Sequence, residues 1–173
     1  MSPEHGAEQR AAFDRWAEGV IDSLGREFQF QQCSVLLFDS ADQLLYLVAQ
    51  RSSPGPPRRE GSEPWIPAVE TSISSRVFRT GVAALVPDVM VGGMGDRGSI
   101  TRSELAVPIL VQDRPVGVIA VASARPGAYG IADLEQLRAH AQTAAQRYLA
   151  GGFGAFEGTE AGAEELDHGG SLD

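Results

Sequence analysis

Lysine and asparagine are absent from this chain of 173 residues, and all 14 basic residues are arginine. Both missing residues have A-rich codons, so the usage fits a GC-rich bacterial genome. It also removes chemistry. Without lysine there is no phosphate-cradling, Schiff-base or kinase-type lysine, which excludes phosphoryl transfer and ATP hydrolysis by the familiar routes. One cysteine, Cys33, is present, which excludes an internal disulfide and a cysteine-held metal cluster. The histidines, His5, His140 and His168, are scattered without ligand spacing, which argues against zinc. No apolar run approaches the roughly 20 residues needed to span a bilayer. The opening MSPEHGAEQR lacks a basic-then-apolar targeting pattern. A cytoplasmic location is the expectation.

Positive charge is scarce overall. The formal net charge is −9, and residues 151–173 carry Glu157, Glu160, Glu164, Glu165, Asp167 and Asp173 with no arginine, so that tail supplies −6 and residues 1–150 supply −3. Neither part offers the basic footprint that nucleic acid or an anionic membrane surface requires. No nucleic-acid partner and no membrane partner are expected. The glycine-rich acidic tail reads as disordered, which leaves residues 1–150 as a single domain long enough for a proper core.

Along that domain the pattern alternates between helical and strand periods. Ser2-Pro3-Glu4 is a helix start; Phe13, Trp16, Val20 and Leu24 follow at helical spacing, and Gly25 is a stop signal, predicting a helix over about 4–24. Cys33–Phe38 and Leu44–Ala49 read as a hairpin. The five prolines between 52 and 67 predict no regular element there. Ile73, Val77 and Phe78 mark a short helix, capped by Thr71 or Ser72 and ended by Gly81. A strand is expected over 82–86, then a glycine-rich irregular stretch over 88–101. Leu105, Val107, Ile109 and Val111 alternate along one strand of a second hairpin; its turn is read at Asp113-Arg114-Pro115, and Val116–Ala122 is its apolar partner. The stripe Ile131, Leu134, Leu137, Ala141, Ala144, Ala145 and Tyr148 predicts a last helix ending near Gly151-Gly152. The class is therefore α+β: a central antiparallel sheet of five to six strands flanked by helices.

The run Ser-Glu-Leu-Ala-Val-Pro, then a turn, then Gly-Val-Ile-Ala-Val-Ala-Ser, then a helix, resembles the central signature of GAF domains, small sensor modules of signalling proteins with a PAS/profilin-like sheet. Ser34–Asp39, Arg79-Thr80-Gly81, Val86–Val89 and Asp133-Leu134 extend the resemblance over about residues 14–150. The PAS type is the main fold alternative, and the hairpin and the long 52–67 loop argue against it. The family's ligands sit between one sheet face and irregular segments, here 62–80 and 88–102. The resemblance thus implies a pocket lined by Trp65, Thr71, Ser72, Asp88, Arg97, Thr101 and Glu104. Arg97 would grip a carboxylate or phosphate by a bidentate fork, and Asp88 would orient an amine or hydroxyl. The plain alternatives are that Trp65 packs the loop, Asp88 caps a turn and Arg97 is solvated.

The family's known chemistries transfer poorly. Members that reduce free methionine sulfoxide use cysteines in the loop before the Ser-Glu strand, where this chain has Met94-Gly95-Asp96-Arg97. They also place acids in the last strand, where it has Ala120 and Ala122; Glu104 alone fits their pattern. Bilin-binding members need a Cys-His pair, which is absent. Haem sensors need an axial histidine, and His140 reads as a helix-surface residue. The Asn-Lys-Phe-Asp-Glu motif of cyclic-nucleotide binders is impossible here. The resemblance therefore implies a non-catalytic small-molecule sensor acting through its terminal helices, either as a homodimer or with a partner signalling protein, with no cofactor assigned. Phe13, Trp16 and Val20, with Ala141, Ala144 and Tyr148, would form dimer helices; burial within one subunit is the alternative. Two other readings stay open: a GAF-fold redox enzyme, which would need a reactive Cys33, and a ligand-free interaction adaptor.

Overall fold

The computed structural model describes residues 3–52, 65–68, 71–91, 93 and 100–156. Helix α1 (Pro3–Glu27) leads into strands β1 (Gln32–Asp39) and β2 (Leu44–Ser52) and the short β3 (Trp65–Pro67). Helix α2 (Ile73–Thr80) and strand β4 (Ala84–Val86) follow, then β5 (Ser103–Val111), β6 (Arg114–Ser123) and helix α3 (Ile131–Ala150). The strands form one six-stranded sheet in the order β3-β2-β1-β6-β5-β4, every neighbouring pair antiparallel. This is the expected α+β layout at the larger of the two strand counts.

The central strands are apolar on both sides because both faces are covered. On one face α1 contributes Phe13, Trp16, Ala17, Val20, Ile21 and Leu24, and α3 contributes Leu137, Ala141, Ala144, Ala145 and Tyr148. They pack on Cys33, Val35, Leu37, Leu105, Val107, Ile109, Ile119 and Val121. The three-and-four spacing of these positions is what puts them on one side of each helix. Ala141 and Ala144 let α1 come close, and the Trp16 indole Nε1–H donates to the Ala144 carbonyl at 3.0 Å. On the other face α2 lays Ile73 and Val77 over Leu36, Leu45, Ala84, Ala106, Val118 and Ala120. The Phe38 and Phe78 rings, 4.3 Å apart, close that end.

Ser72 caps α2, its hydroxyl accepting from the Ser75 N–H, and Gly81 ends it in the left-handed region at φ 65°, both as expected. Four local expectations are corrected. Helix α1 runs through Gly25 to Glu27. The missing side chain there makes room for Arg51, whose Nη1 would lie 2.8 Å from a Cβ and which pairs with Asp22. Within the proline-rich stretch, Trp65–Pro67 is a strand; it lies at the sheet edge, where a proline lacking its N–H is tolerated, and residues 53–64 fall outside the described residues. The second hairpin turns at Gln112-Asp113, with φ 52° and 61°, the paired left-handed geometry that matches strand twist; Arg114 and Pro115 already belong to β6. Finally, Ile131 is 70% exposed, one turn outside the stripe that begins at Leu134.

Past α3 the packed chain continues to Phe156. Phe153 and Phe156 fold back against the α1 aromatic residues, so the compact unit extends beyond residue 150. Residues 157–173 lie outside the described residues.

Candidate functional site

Strand pairing decides which side chains share a face, because directly opposed residues point the same way. On the α2 side of the sheet one row runs Val86, Glu104, Ala122, Gln32. The next runs Ala84, Ala106, Ala120, Ser34, Gln50. A third, Pro108, Val118, Leu36 and Leu47, is apolar. Helix α2 seals the apolar end. The other end of the same face carries Ala122 and bears a carboxyl, a hydroxyl and two amides. The Gln50 Nε2 sits 3.4 Å from the Ser34 hydroxyl. Small residues beside polar groups are what a site for a small polar molecule requires.

Glu104 is the charged group of this patch. Its carboxyl is pushed up to about 7, and burial alone is the cause. No described residue offers it a hydrogen bond or an opposite charge, so near neutral pH it exists in both protonation states.

The other expected pocket residues are placed as follows. Thr71 is exposed, just ahead of α2. Ser72 serves as the α2 cap, its hydroxyl 2.7 Å from that of Ser75, so its hydrogen bonds are local. Asp88 is gripped by Arg102, with Nη2–Oδ2 at 2.8 Å and Nε–Oδ1 at 3.3 Å, and it also accepts the Met90 N–H. The Arg102 hydrogen bond holds the Asp88 carboxyl below its usual range. This clamp ties the segment after β4 to the start of β5, where the Val89 N–H also donates to the Arg102 carbonyl at 2.7 Å. Asp88 therefore braces the loop beside Glu104. Thr101 is half-buried and engaged by a neighbour. Trp65 lies in the edge strand β3, its side chain outside the described set, and Arg97 lies outside the described residues. The structure thus places Glu104 on the same sheet face as Gln32 and Ser34, two strands away, and Gln50, three strands away, which sequence reasoning missed.

The six residues assigned to dimer helices, Phe13, Trp16, Val20, Ala141, Ala144 and Tyr148, are all buried within the one chain. They present no open surface along the helices to a second copy.

Cys33 lies in β1 on the α1/α3 side, fully buried, and burial pushes its thiol up to about 12. A buried thiol held in its neutral form is a poor nucleophile. Iodoacetamide at about pH 8 is expected to leave the folded protein unmodified and to alkylate it promptly in denaturant; mass spectrometry of the two samples checks this. Among the described residues no three His, Cys, Asp or Glu side chains converge on a metal position, and no helix is long and apolar enough to cross a membrane.

This architecture has clear relatives among solved structures. A free methionine-R-sulfoxide reductase from Neisseria meningitidis, solved with its substrate, superposes with a TM-score of 0.68 at 19% identity, covering 83% of this chain and 84% of that one. The type II free methionine-R-sulfoxide reductase of Thermoplasma acidophilum gives 0.66 at 16% identity, over 80% and 92% of the two chains. The blue-light absorbing form of the Thermosynechococcus elongatus PixJ GAF domain gives 0.62 at 18%, over 99% of both. At these identities the likeness establishes the fold alone. Among curated proteins none matches significantly in sequence. The sequence profile of the GAF domain matches residues 11–147, and the chain belongs to the GAF domain family.

Proposed function

We propose that this GAF domain is a non-catalytic sensor of a small polar molecule, which sits on the α2-side sheet face against Glu104 and is read out through α1 and α3. One observation carries the reading: a sheet face that is apolar under α2 bears, at its other end, a carboxyl on β5 and, across Ala122 of β6, the polar groups Gln32, Ser34 and Gln50. The polar groups dictate the occupant. An amine or other hydrogen-bond donor would face Glu104, with groups able to bond the amides and hydroxyl beside it.

The same strand serves both ends of the device. In β6, Ala122 faces the proposed ligand, while Ile119 and Val121 pack under α1 and α3. The redox reading needs a reactive thiol, and the state of Cys33 speaks against it. Similar folds occur both in reductases of free methionine sulfoxide and in a light-absorbing domain, so fold does not choose between them.

The test is direct. The purified protein is examined by native mass spectrometry for retained small molecules. It is then titrated in thermal shift and calorimetry with small amines and amino acids, methionine-R-sulfoxide included. At least one is expected to raise Tm without being consumed, and Glu104→Gln is expected to weaken it by about 10-fold or more, the value of one charge-assisted hydrogen bond. Equal affinity in Glu104→Gln, or no retained mass and no response to any compound, would overturn the reading.

A further inference from the structure

At the end of α3 the chain turns through Gly151 and Gly152, the latter at φ 66°, and places two phenylalanines on α1. The Phe153 ring centroid lies 5.3 Å from Tyr148, 5.7 Å from Phe13 and 6.4 Å from Trp16. Phe156 stacks on Phe13 at 5.4 Å and reaches Tyr46 of β2 at 5.9 Å. The Tyr148 hydroxyl donates to the Gly154 carbonyl at 2.7 Å. Phe13, Trp16, Tyr46 and Tyr148, drawn from α1, β2 and α3, thus form an aromatic cleft, and its guest is a Phe-x-x-Phe segment.

The seat is closely fitted. Gly151 has ordinary helical angles, φ −72° and ψ −12°, so its backbone does not need glycine; a Cβ there would lie 2.5 Å from the Phe153 ring and would push the ring out of its seat. The hold is nonetheless modest. Both guest rings are only half-buried. Their contacts must offset the ordering of a segment containing Gly151, Gly152 and Gly154, and that segment runs directly into the six carboxylates of residues 157–173.

We infer that the 153–156 segment is an exchangeable plug, and that the cleft it vacates accepts the same segment from a second copy of this chain. The cleft is shown filled by one kind of guest, and a second copy carries an identical one. Exchange keeps every aromatic contact and alters only the glycine hinge, which makes it a low-cost route to a dimer. It also gives Phe13, Trp16 and Tyr148 a part in association although helix packing buries them: they meet the partner through its phenylalanines. The tails, each bearing −6, repel one another in the exchanged pair, so salt favours it. None of this depends on the pocket beside Glu104.

Analytical ultracentrifugation of the full chain over a concentration series, with exchange between isotopically light and heavy populations read by native mass spectrometry, tests the proposal. A concentration-dependent dimer of mixed mass is expected, its fraction rising at least about 2-fold from about 50 to about 500 mM salt. The full-length Phe153→Ala/Phe156→Ala variant is expected to stay monomeric and to show red-shifted tryptophan emission. A peptide of sequence GGFGAFEG is expected to reverse that shift saturably, while the same peptide with both phenylalanines replaced by alanine is inert. Gly151→Ala, which keeps both rings but unseats Phe153, is expected to reproduce the red shift with unchanged circular dichroism, and it serves if the double variant fails to fold. A wild-type chain that remains monomeric throughout, a dimer that survives loss of both phenylalanines, or tryptophan emission indifferent to Gly151→Ala overturns it.

Discussion

Replacing Glu104 by Gln is expected to stabilise the protein by about 3 kcal/mol at pH 8 and by about 1 kcal/mol or less at pH 5, since a pKa unit is worth about 1.4 kcal/mol. The sign follows from burial. The folded-state pKa of Glu104 is raised from 4.5 to about 7, so between those values the folded protein holds a proton that the unfolded chain has released. Stability is therefore full below that window and falls as pH rises through it. The amide has the same shape and no charge to desolvate, so its curve lacks this fall. For a domain of this size the difference at pH 8 amounts to roughly 6–12 °C in Tm. Paired thermal melts across the pH range check it, and parallel curves for the two proteins would show that the carboxyl titrates normally. A residue that lowers stability at neutral pH, without any partner in the described structure, is what a binding position looks like before its ligand arrives.

Gly117→Ala is expected to be the most damaging glycine-to-alanine substitution among the described residues. Gly117 opposes Leu37 on β1 and Ile109 on β5, and an added Cβ would lie 2.1 Å from the Leu36 carbonyl oxygen and 2.7 Å from the Leu37 Cδ2. The first of these is backbone in the centre of the sheet, and it cannot yield without parting β1 from β6. The cost is expected to be about 3 kcal/mol or more, out of a total of roughly 5–15 kcal/mol for a domain, seen as a collapse in soluble yield or a large drop in the denaturation midpoint. Gly19→Ala is the matched control: nothing lies within 4 Å of its added methyl, and in mid-helix it should be neutral or slightly stabilising. The glycine of the Gly-Val-Ile signature thus has a physical reason: two strands approach so closely there that no side chain fits.

The two hairpins, the helix stripes, the Ser72 cap and the Gly81 stop were legible because each is a local pattern with a local cause. Strand β3 was not, since Trp65–Pro67 becomes a strand only by finding the open edge of β2. Nor was the Gln112-Asp113 turn, which puts two non-glycine residues in the left-handed region where sequence signals favour glycine or asparagine, and asparagine is absent from the chain. Glu104 was reached through the Ser-Glu-Leu signature that the resemblance carries. Its companions were not. Gln32 and Ser34 join it only through the register of β1 against β6, and Gln50 only through β2, pairings that no periodicity reveals. Asp88 was read as a ligand group because its partner, Arg102, lies across an irregular loop. Phe153 and Phe156 were hidden by averaging: the acidic, glycine-rich composition of 151–173 masked two aromatic residues at its start.

The contact between Trp16 and Ala144 spans 128 residues, and this sets a timetable for biosynthesis. At about 5–20 residues per second the ribosome takes roughly 6–25 s to supply the second partner after the first has been made. Throughout that interval the apolar stripe of α1 (Phe13, Trp16, Val20, Leu24) has no α3 to lie beside, and the sheet face between them stays half-roofed. The nascent protein therefore carries its stickiest surface longest, and its main core closes only as the last helix clears the exit tunnel.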